Sequence, residues 1–332
     1  MDFRNNFIQD LFKITDSNFN IKALELFKYQ YKNNTFYRKF VNSLHRDPDK
    51  IEDLSQIPFL PIEFYKSQMV ITGTEEYKTV FFSSGTTDID NKSKHFVKDP
   101  DLYEKVFTEI FIRHYGNPAD YIILALLPSY QENKSSSLIY MVDSLIRQSG
   151  SEHSGFISLN FEKLLTDLPK LRAQHKKIMV FGVAYALLEL AEQHAPDLSD
   201  VIIIETGGMK GRREEMIKAE MHEYLKQKFQ LKEIHSEYGM TELLSQAYSL
   251  SKGIFKIPFS MKVLVRDVND ALTIKREGRG GINIIDLANI DSCAFIETQD
   301  MGMVMFDGSF EVMGRMDNSD VRGCNLLYSA ND

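Results

Sequence analysis

FFSSGTTDIDNKSKHF, residues 81–96, runs from an aromatic strand directly into chain rich in hydroxyls and glycine. Ser83, Ser84, Thr86 and Thr87 offer hydroxyl and backbone donors, and Gly85 allows the tight turn that aims several N–H groups at one anion. The functional reading is a phosphate cradle; the plain alternative is a solvated Ser/Thr turn. The Walker pattern does not fit, because no second glycine precedes Lys92.

Outward from this segment, short β-branched or aromatic runs alternate with long amphipathic stretches. The pattern predicts strands at 79–82, 121–126, 177–181, 201–205 and 233–236, and helices near 101–115, 135–148, 161–174, 185–194 and 212–230. That alternation predicts an α/β fold with largely parallel sheets flanked by helices. Before it, Phe3, Phe7 and Leu11, then Leu24, Phe27 and Tyr31, recur at helical spacing and predict two or three helices. Beyond Ser245, Gly-punctuated runs at 259–266, 271–275, 281–286 and 302–306 predict a small β-rich subdomain. The expected division is a helical segment at 1–55, an α/β core at 56–245 and a β-rich subdomain at 246–332.

Two further segments carry chemistry. IIIETGGMKGRREE, residues 202–215, ends an apolar strand at paired glycines, with Lys210, Arg212 and Arg213 just beyond. Strand-end glycines let a flat ligand approach the backbone and the cations suit phosphate; otherwise this is a strand-to-helix turn with a basic face. HSEYGMTELLSQ, residues 235–246, sets Thr241 and Glu242 after a strand end. A carboxylate there can hold Mg²⁺ through oxygen, or it is an ordinary acid at a helix start.

Bulk composition bounds the rest. The 332 residues are 43% hydrophobic with a formal charge of -8, enough for a sizeable core and without a basic block for nucleic acid or an anionic membrane. No run is long enough to span a bilayer, and the N-terminus lacks a signal peptide's apolar core. Two cysteines, Cys293 and Cys324, in so long a chain predict free thiols in the cytoplasm. The eight histidines show no ligand spacing, so no structural metal is expected.

The order of these segments resembles a known series. Ser83–Thr87, then Thr206–Gly208, then Tyr238–Glu242 with Gly239, then Asp300, then GRMD at 314–317 is similar to the motifs of the adenylate-forming superfamily: acyl-CoA synthetases, peptide-synthetase adenylation domains and luciferases. LALLPSY, SSLIYMVDSLI, ETGGMKGRR, EYGMTE and GRMDNSDVRGC resemble more closely the acyl-protein synthetases of bacterial bioluminescence operons, over nearly the whole chain from Ile57. The resemblance implies ATP and Mg²⁺ as cofactors and a carboxylic, here fatty, acid as substrate, activated to acyl-AMP with loss of pyrophosphate.

Residue by residue, it implies that Ser83, Ser84, Gly85, Thr86 and Thr87 hold phosphate and that Thr206, Gly207 and Gly208 lie against adenine. Tyr238 and Gly239 would sit near the base, Thr241 on phosphate and Glu242 on Mg²⁺; Asp300 would take the ribose, with Arg315 nearby. Ala184 and Tyr185 would line the acyl pocket. Two departures stand out. Asp88 and IDNKSKH replace the usual Gly and Pro-Lys after the threonines, leaving Lys94 to do that lysine's work. The small C-terminal domain expected after Asp317, with its catalytic lysine, is missing, so Lys210 or Arg212 would supply that charge. Cys324, in DVRGCNLL, would accept the acyl group and pass it to a partner protein, although a lone cysteine is otherwise a small buried hydrophobe. The alternatives are a CoA ligase resembling phenylacetate-CoA ligases and a non-catalytic nucleotide- or acyl-binding protein.

Overall fold

A computed structural model describes residues 2–74, 76–83, 92–127, 135–157, 161–207 and 217–316. Three helices open the chain: α1 (Phe3–Leu11), α2 (Asp16–Asn33) and α3 (Thr35–Ser43). Thr15 and Asn18 form a reciprocal capping box that starts α2, and the Asn34 side chain accepts from the Tyr37 amide to start α3. The short strand β1 (Leu60–Pro61) and helix α4 (Phe64–Ser67) follow, then the hairpin β2 (Thr79–Phe82) and β3 (Lys94–Val97), then α5 (Pro100–Tyr115).

The first large sheet takes β4 (Tyr121–Leu126), β5 (Gly155–Phe156), β6 (Lys177–Val183), β7 (Val201–Thr206), β8 (His235–Tyr238) and β9 (Ala247–Ser249) in the order β5-β4-β6-β7-β8-β9. All neighbours are parallel except the edge pair β8 and β9. Every residue of β4 is buried, as a parallel strand covered on both faces requires. Helices α6 (Ser137–Ser149), α7 (Phe161–Arg172), α8 (Ala184–Gln193) and α9 (Lys218–Phe229) make the crossovers. Right-handed connections place α6 on one face and α7 to α9 on the other, because the chain reverses its direction across the sheet after β5. The connections leaving β4 and β6 therefore diverge, and their C-terminal ends form the switch point of the sheet.

The second sheet is antiparallel apart from β1. It orders β10 (Ile254–Phe255), β15 (Phe310–Arg315), β14 (Phe295–Val304), β13 (Gly278–Asp286), β11 (Met261–Arg266) and β12 (Ile274–Lys275), with β1 parallel to β14. The N-terminal helices pack on this sheet, not on the parallel one. Phe27 of α2 meets Phe295 edge-on at 6.0 Å. The Gln30 amide donates to the carbonyls of Asn289 (2.8 Å) and Ile290 (3.1 Å) and accepts from the Ala294 amide (2.9 Å).

Most predicted strands and helices occupy their expected places, with four differences, one being that the strand expected at 271–275 is only Ile274–Lys275. The strand expected at 233–236 is His235–Tyr238, and that expected at 302–306 belongs to the longer β14. The segment 240–246 holds no helix, so Glu242 is not a helix-start acid: Thr241 and Glu242 form a turn. Among the described residues no helix is long and apolar enough to cross a membrane.

The turn is fixed by Asp286, at the end of β13. Its carboxylate accepts from the Leu244 amide (2.8 Å), the Ser245 amide (3.0 Å), the Ser245 hydroxyl (2.6 Å) and the Ala288 amide (3.0 Å), all buried. Asp286→Ala strands these donors without acceptors, so the variant should lose about 3 kcal/mol or more of unfolding free energy in urea titration. Asp286→Asn, which keeps an acceptor oxygen, should lose less.

Candidate functional site

The candidate residues that are described gather where the two sheets meet. Thr206 and Gly207 end β7, and Tyr238 and Gly239 end its neighbour β8. Gly207 has φ +69°, a left-handed conformation that a side chain would strain. Beyond β8 the turn carries Thr241 and Glu242 under the hairpin β2–β3.

Hairpin and turn are joined by specific bonds. At the hairpin neck the Ser83 amide donates to the Ser93 carbonyl (3.1 Å), and the Ser93 amide donates to the Ser83 hydroxyl oxygen (3.0 Å). The Ser93 side chain lies near enough to the Glu242 carboxyl to favour its charged form. His95, 1% exposed, donates from Nδ1 to the Thr241 carbonyl (2.8 Å). Burial depresses this imidazole to about 4, so it is neutral at physiological pH and acts as a fixed donor. Alternation along β3 turns Lys94 to the face opposite His95.

Glu242 is 4% exposed. Burial raises its pKa above the ordinary glutamate value; the Ser93 side chain and the charges of Arg315 and Lys66 oppose that only in part. A carboxyl held in this way lacks a full countercharge, which is what a site for a cation looks like before the cation arrives. Among the described residues no three His, Cys, Asp or Glu side chains converge as metal ligands. A single carboxylate still fits Mg²⁺, which takes most of its coordination from water and substrate phosphates.

On the other side, the Tyr238 hydroxyl donates to Asp300 on β14 (2.7 Å), bridging the two sheets. Asp300 and Arg315 are register partners on β14 and β15, with Nε 3.6 Å from the carboxylate. Arg315 is largely exposed, so this pair adds little stability and leaves the guanidinium available. Ala184 and Tyr185 begin α8 at the end of β6, at the switch point of the sheet.

Ser84, Gly85, Thr86, Thr87, Gly208, Lys210, Arg212 and Cys324 lie outside the described residues. Cys293 is a free, buried thiol whose pKa burial pushes up to about 12, an inert core residue. Sequence reasoning missed Ser93, Asp286 and Glu237. Glu237 stands inside EYGMTE, and an acid at the end of a strand in a parallel sheet is a signal of burial that could have singled it out.

No family model and no curated protein matches the chain. Its fold is similar to several solved structures. ATP-bound MatB from Rhodopseudomonas palustris is 14% identical with a TM-score of 0.53, over 71% of this chain and 47% of that one. The O-succinylbenzoate Coenzyme A synthetase MenE from Bacillus subtilis, in complex with AMP, is 17% identical with a TM-score of 0.50, over 74% and 50%. The luciferase-like enzyme from the Zophobas morio mealworm is 15% identical with a TM-score of 0.50, over 82% and 62%. The chain thus spans about half the length of most of these structures. The expected α/β architecture, with largely parallel strands flanked by helices and a β-rich end, is the one observed, and it is similar to the fold of these structures.

The Glu242 carboxyl also gives a stability test. Its pKa is raised in the folded state, so its contribution is present at low pH and is lost as the pH rises above the ordinary value of 4.5. Glu242→Gln should therefore melt higher than the wild type at pH 8, and the gap should close towards pH 4.5. Thermal unfolding of both proteins across that range checks this.

Proposed function

We propose that the chain activates a carboxylic acid with ATP, forming acyl-AMP and releasing pyrophosphate, and then transfers the acyl group to a thiol. The observation that carries this reading is the buried, under-neutralised Glu242 in a turn held against the hairpin whose strands flank the Ser- and Thr-rich segment 83–87. The similarity in fold to MatB, crystallised with ATP, and to MenE, of which one structure contains ATP and magnesium, supports it.

In the first step a carboxylate oxygen of the acid attacks the α-phosphorus of ATP. The bond from that phosphorus to the bridging oxygen breaks, and pyrophosphate leaves. Both reactants are anions, so the obstacle is charge repulsion, and the site's task is to stabilise charge on the α-phosphate. Mg²⁺, when bound at Glu242, would neutralise phosphate charge. Ser83, Ser84, Gly85, Thr86 and Thr87 would donate to the phosphates, with Thr241 beside them. Lys210, or Arg212, would add positive charge. Thr206, Gly207, Gly208, Tyr238 and Gly239 would flank the base, while Asp300 would accept from the ribose hydroxyls beside Arg315. Ala184 and Tyr185 would border the acid at the switch point.

In the second step a thiolate attacks the acyl carbonyl and AMP departs. Cys324 is the proposed acceptor, with a fatty acid as the acid and a carrier protein as the onward partner, as in the acyl-protein synthetases that the motifs resemble. Coenzyme A is the second reading, favoured by the similarity in fold to a Coenzyme A synthetase. The expected setting is the cytoplasm.

Two measurements test the two steps. Exchange of labelled pyrophosphate into ATP should depend on an acid and on Mg²⁺, and Glu242→Gln should lower it by about 10²-fold; an unchanged rate sinks the assignment of Glu242. With ATP and a labelled acid, the protein should acquire label that neutral hydroxylamine removes. That label should vanish in Cys324→Ser and survive in Cys293→Ser. Pyrophosphate release without protein-bound label would move the acceptor to coenzyme A.

A further inference from the structure

Glu237 lies one residue before Tyr238 in β8, is 8% exposed, and has no part in the activation chemistry above. Its register partners are Thr206 on β7 and Tyr248 on β9, so these three side chains share one face of the sheet. The Thr206 hydroxyl donates to Glu237 Oε2. The second oxygen, Oε1, fills the space that a Cβ at position 239 would occupy, so Gly239 is glycine because this carboxyl lies against it. One side chain thus touches the end of β7 immediately before Gly207 and the backbone immediately after Tyr238.

The groups facing this carboxyl are few. Tyr103 and Tyr115 approach from α5, and Tyr248 from β9. Glu205 on β7 adds a like charge, and Lys218 of α9, the nearest cation, is bound to Glu205 at 2.9 Å. Gln246 packs beside the same glycine, with its Cγ 3.4 Å from the position of that Cβ. Its Nε2 donates to the Tyr103 hydroxyl (3.4 Å), while its Oε1 is buried without a donor, and the buried Tyr248 hydroxyl is also unpartnered. The surroundings of Glu237 are thus buried and crowded, with a like charge on Glu205 and no cation of its own, an environment that penalises a carboxylate more than a carboxylic acid.

We propose that Glu237 is a positioning residue: in its protonated form it ties together the ends of β7 and β8 that carry the candidate nucleotide contacts, and its ionisation loosens them. Burial, reinforced by Glu205, raises this carboxyl to about 7 against the opposing Thr206 bond, so the change falls in the physiological range. The inference rests on the reading that Thr206–Gly208 and Tyr238–Glu242 contact ATP.

ATP binding by titration calorimetry, with the full chain and Mg²⁺ between pH 6 and pH 8.5, tests it. Wild-type affinity should fall as the pH rises through about 7. Glu237→Gln fixes the neutral state with the same shape and should flatten that decline; ATP's own titration is common to both proteins, so the difference belongs to residue 237. Glu237→Ala should raise the KM for ATP about tenfold with kcat changed less than about threefold, the mark of lost positioning rather than lost chemistry. A glutamine variant with the wild-type pH slope, or an alanine variant with wild-type ATP affinity, overturns the proposal.

A wild type that neither binds ATP nor exchanges pyrophosphate sinks the proposed function instead, and unfolding then decides whether the tie exists. Because the folded-state value is raised from 4.5 to about 7, the stability due to Glu237 is whole below the first and lost through the second. Wild-type stability should fall over that window relative to Glu237→Gln; parallel curves would show that the carboxyl ties nothing.

Discussion

The Asp286 carboxylate is the constraint on which the geometry of the candidate site depends. A turn between a parallel sheet and an antiparallel one has no ladder to hold it, and its amides are buried, so each needs an acceptor from elsewhere. Asp286 provides this for Leu244 and Ser245. Asn289, three residues on, donates to the Glu242 carbonyl at 2.8 Å. Both come from the segment that α2 grips through Gln30 and that Arg4 grips through a bidentate pair with Asp291, both bonds 2.6 Å. Support therefore runs from the N-terminal helices through the segment 286–294 to the turn, and Glu242 is held by residues far from it in sequence.

This arrangement places the candidate site on a seam. The parallel sheet contributes strand ends, whose backbone is rigid because both faces are covered. The antiparallel sheet contributes Asp300, and Tyr238 reaches across to it. In the proposed reading, a seam of this kind lets one lobe hold the base and ribose while the turn holds the phosphates. The cost is a set of charged groups removed from water, which a protein selected for stability alone would replace.

The sequence revealed the α/β character because it rests on local signals. Runs such as YIILAL are buried on both faces and read as strands wherever they occur. It misjudged β14 because that strand mixes buried Thr298 with half-buried Glu297, Gln299 and Asp300; polarity there serves Arg266 and Tyr238, not solvent. It also read Glu242 as either a ligand or a helix-start acid, since nothing local shows that the next seven residues hold no helix. The packing of α2 on the segment 289–294 was illegible for a different reason. Gln30 and Asn289 are 259 residues apart, and a single glutamine carries no mark of so distant a partner.

The buried acids of this seam show how neighbours, not burial alone, decide what a carboxyl can do. Glu205, Glu237 and Glu242 are all nearly inaccessible, and burial works against the charge of each. Only Glu205 ends below the ordinary value, because Lys218 and His222 outweigh that penalty. It is a structural ion pair, satisfied within the fold. Glu242 and Glu237 are raised, each beside a hydroxyl side chain and with no adjacent cation. Glu242 stands beside Ser93 at the neck of the hairpin, so under the proposed function a cation arriving with substrate would complete it. Glu237, with Tyr248 as its register partner and Tyr103 and Tyr115 close enough to feel its charge, has only a proton to complete it. One residue type, on two neighbouring strands and the turn that follows them, is thereby assigned to a salt bridge, a candidate metal site and a candidate proton-held tie.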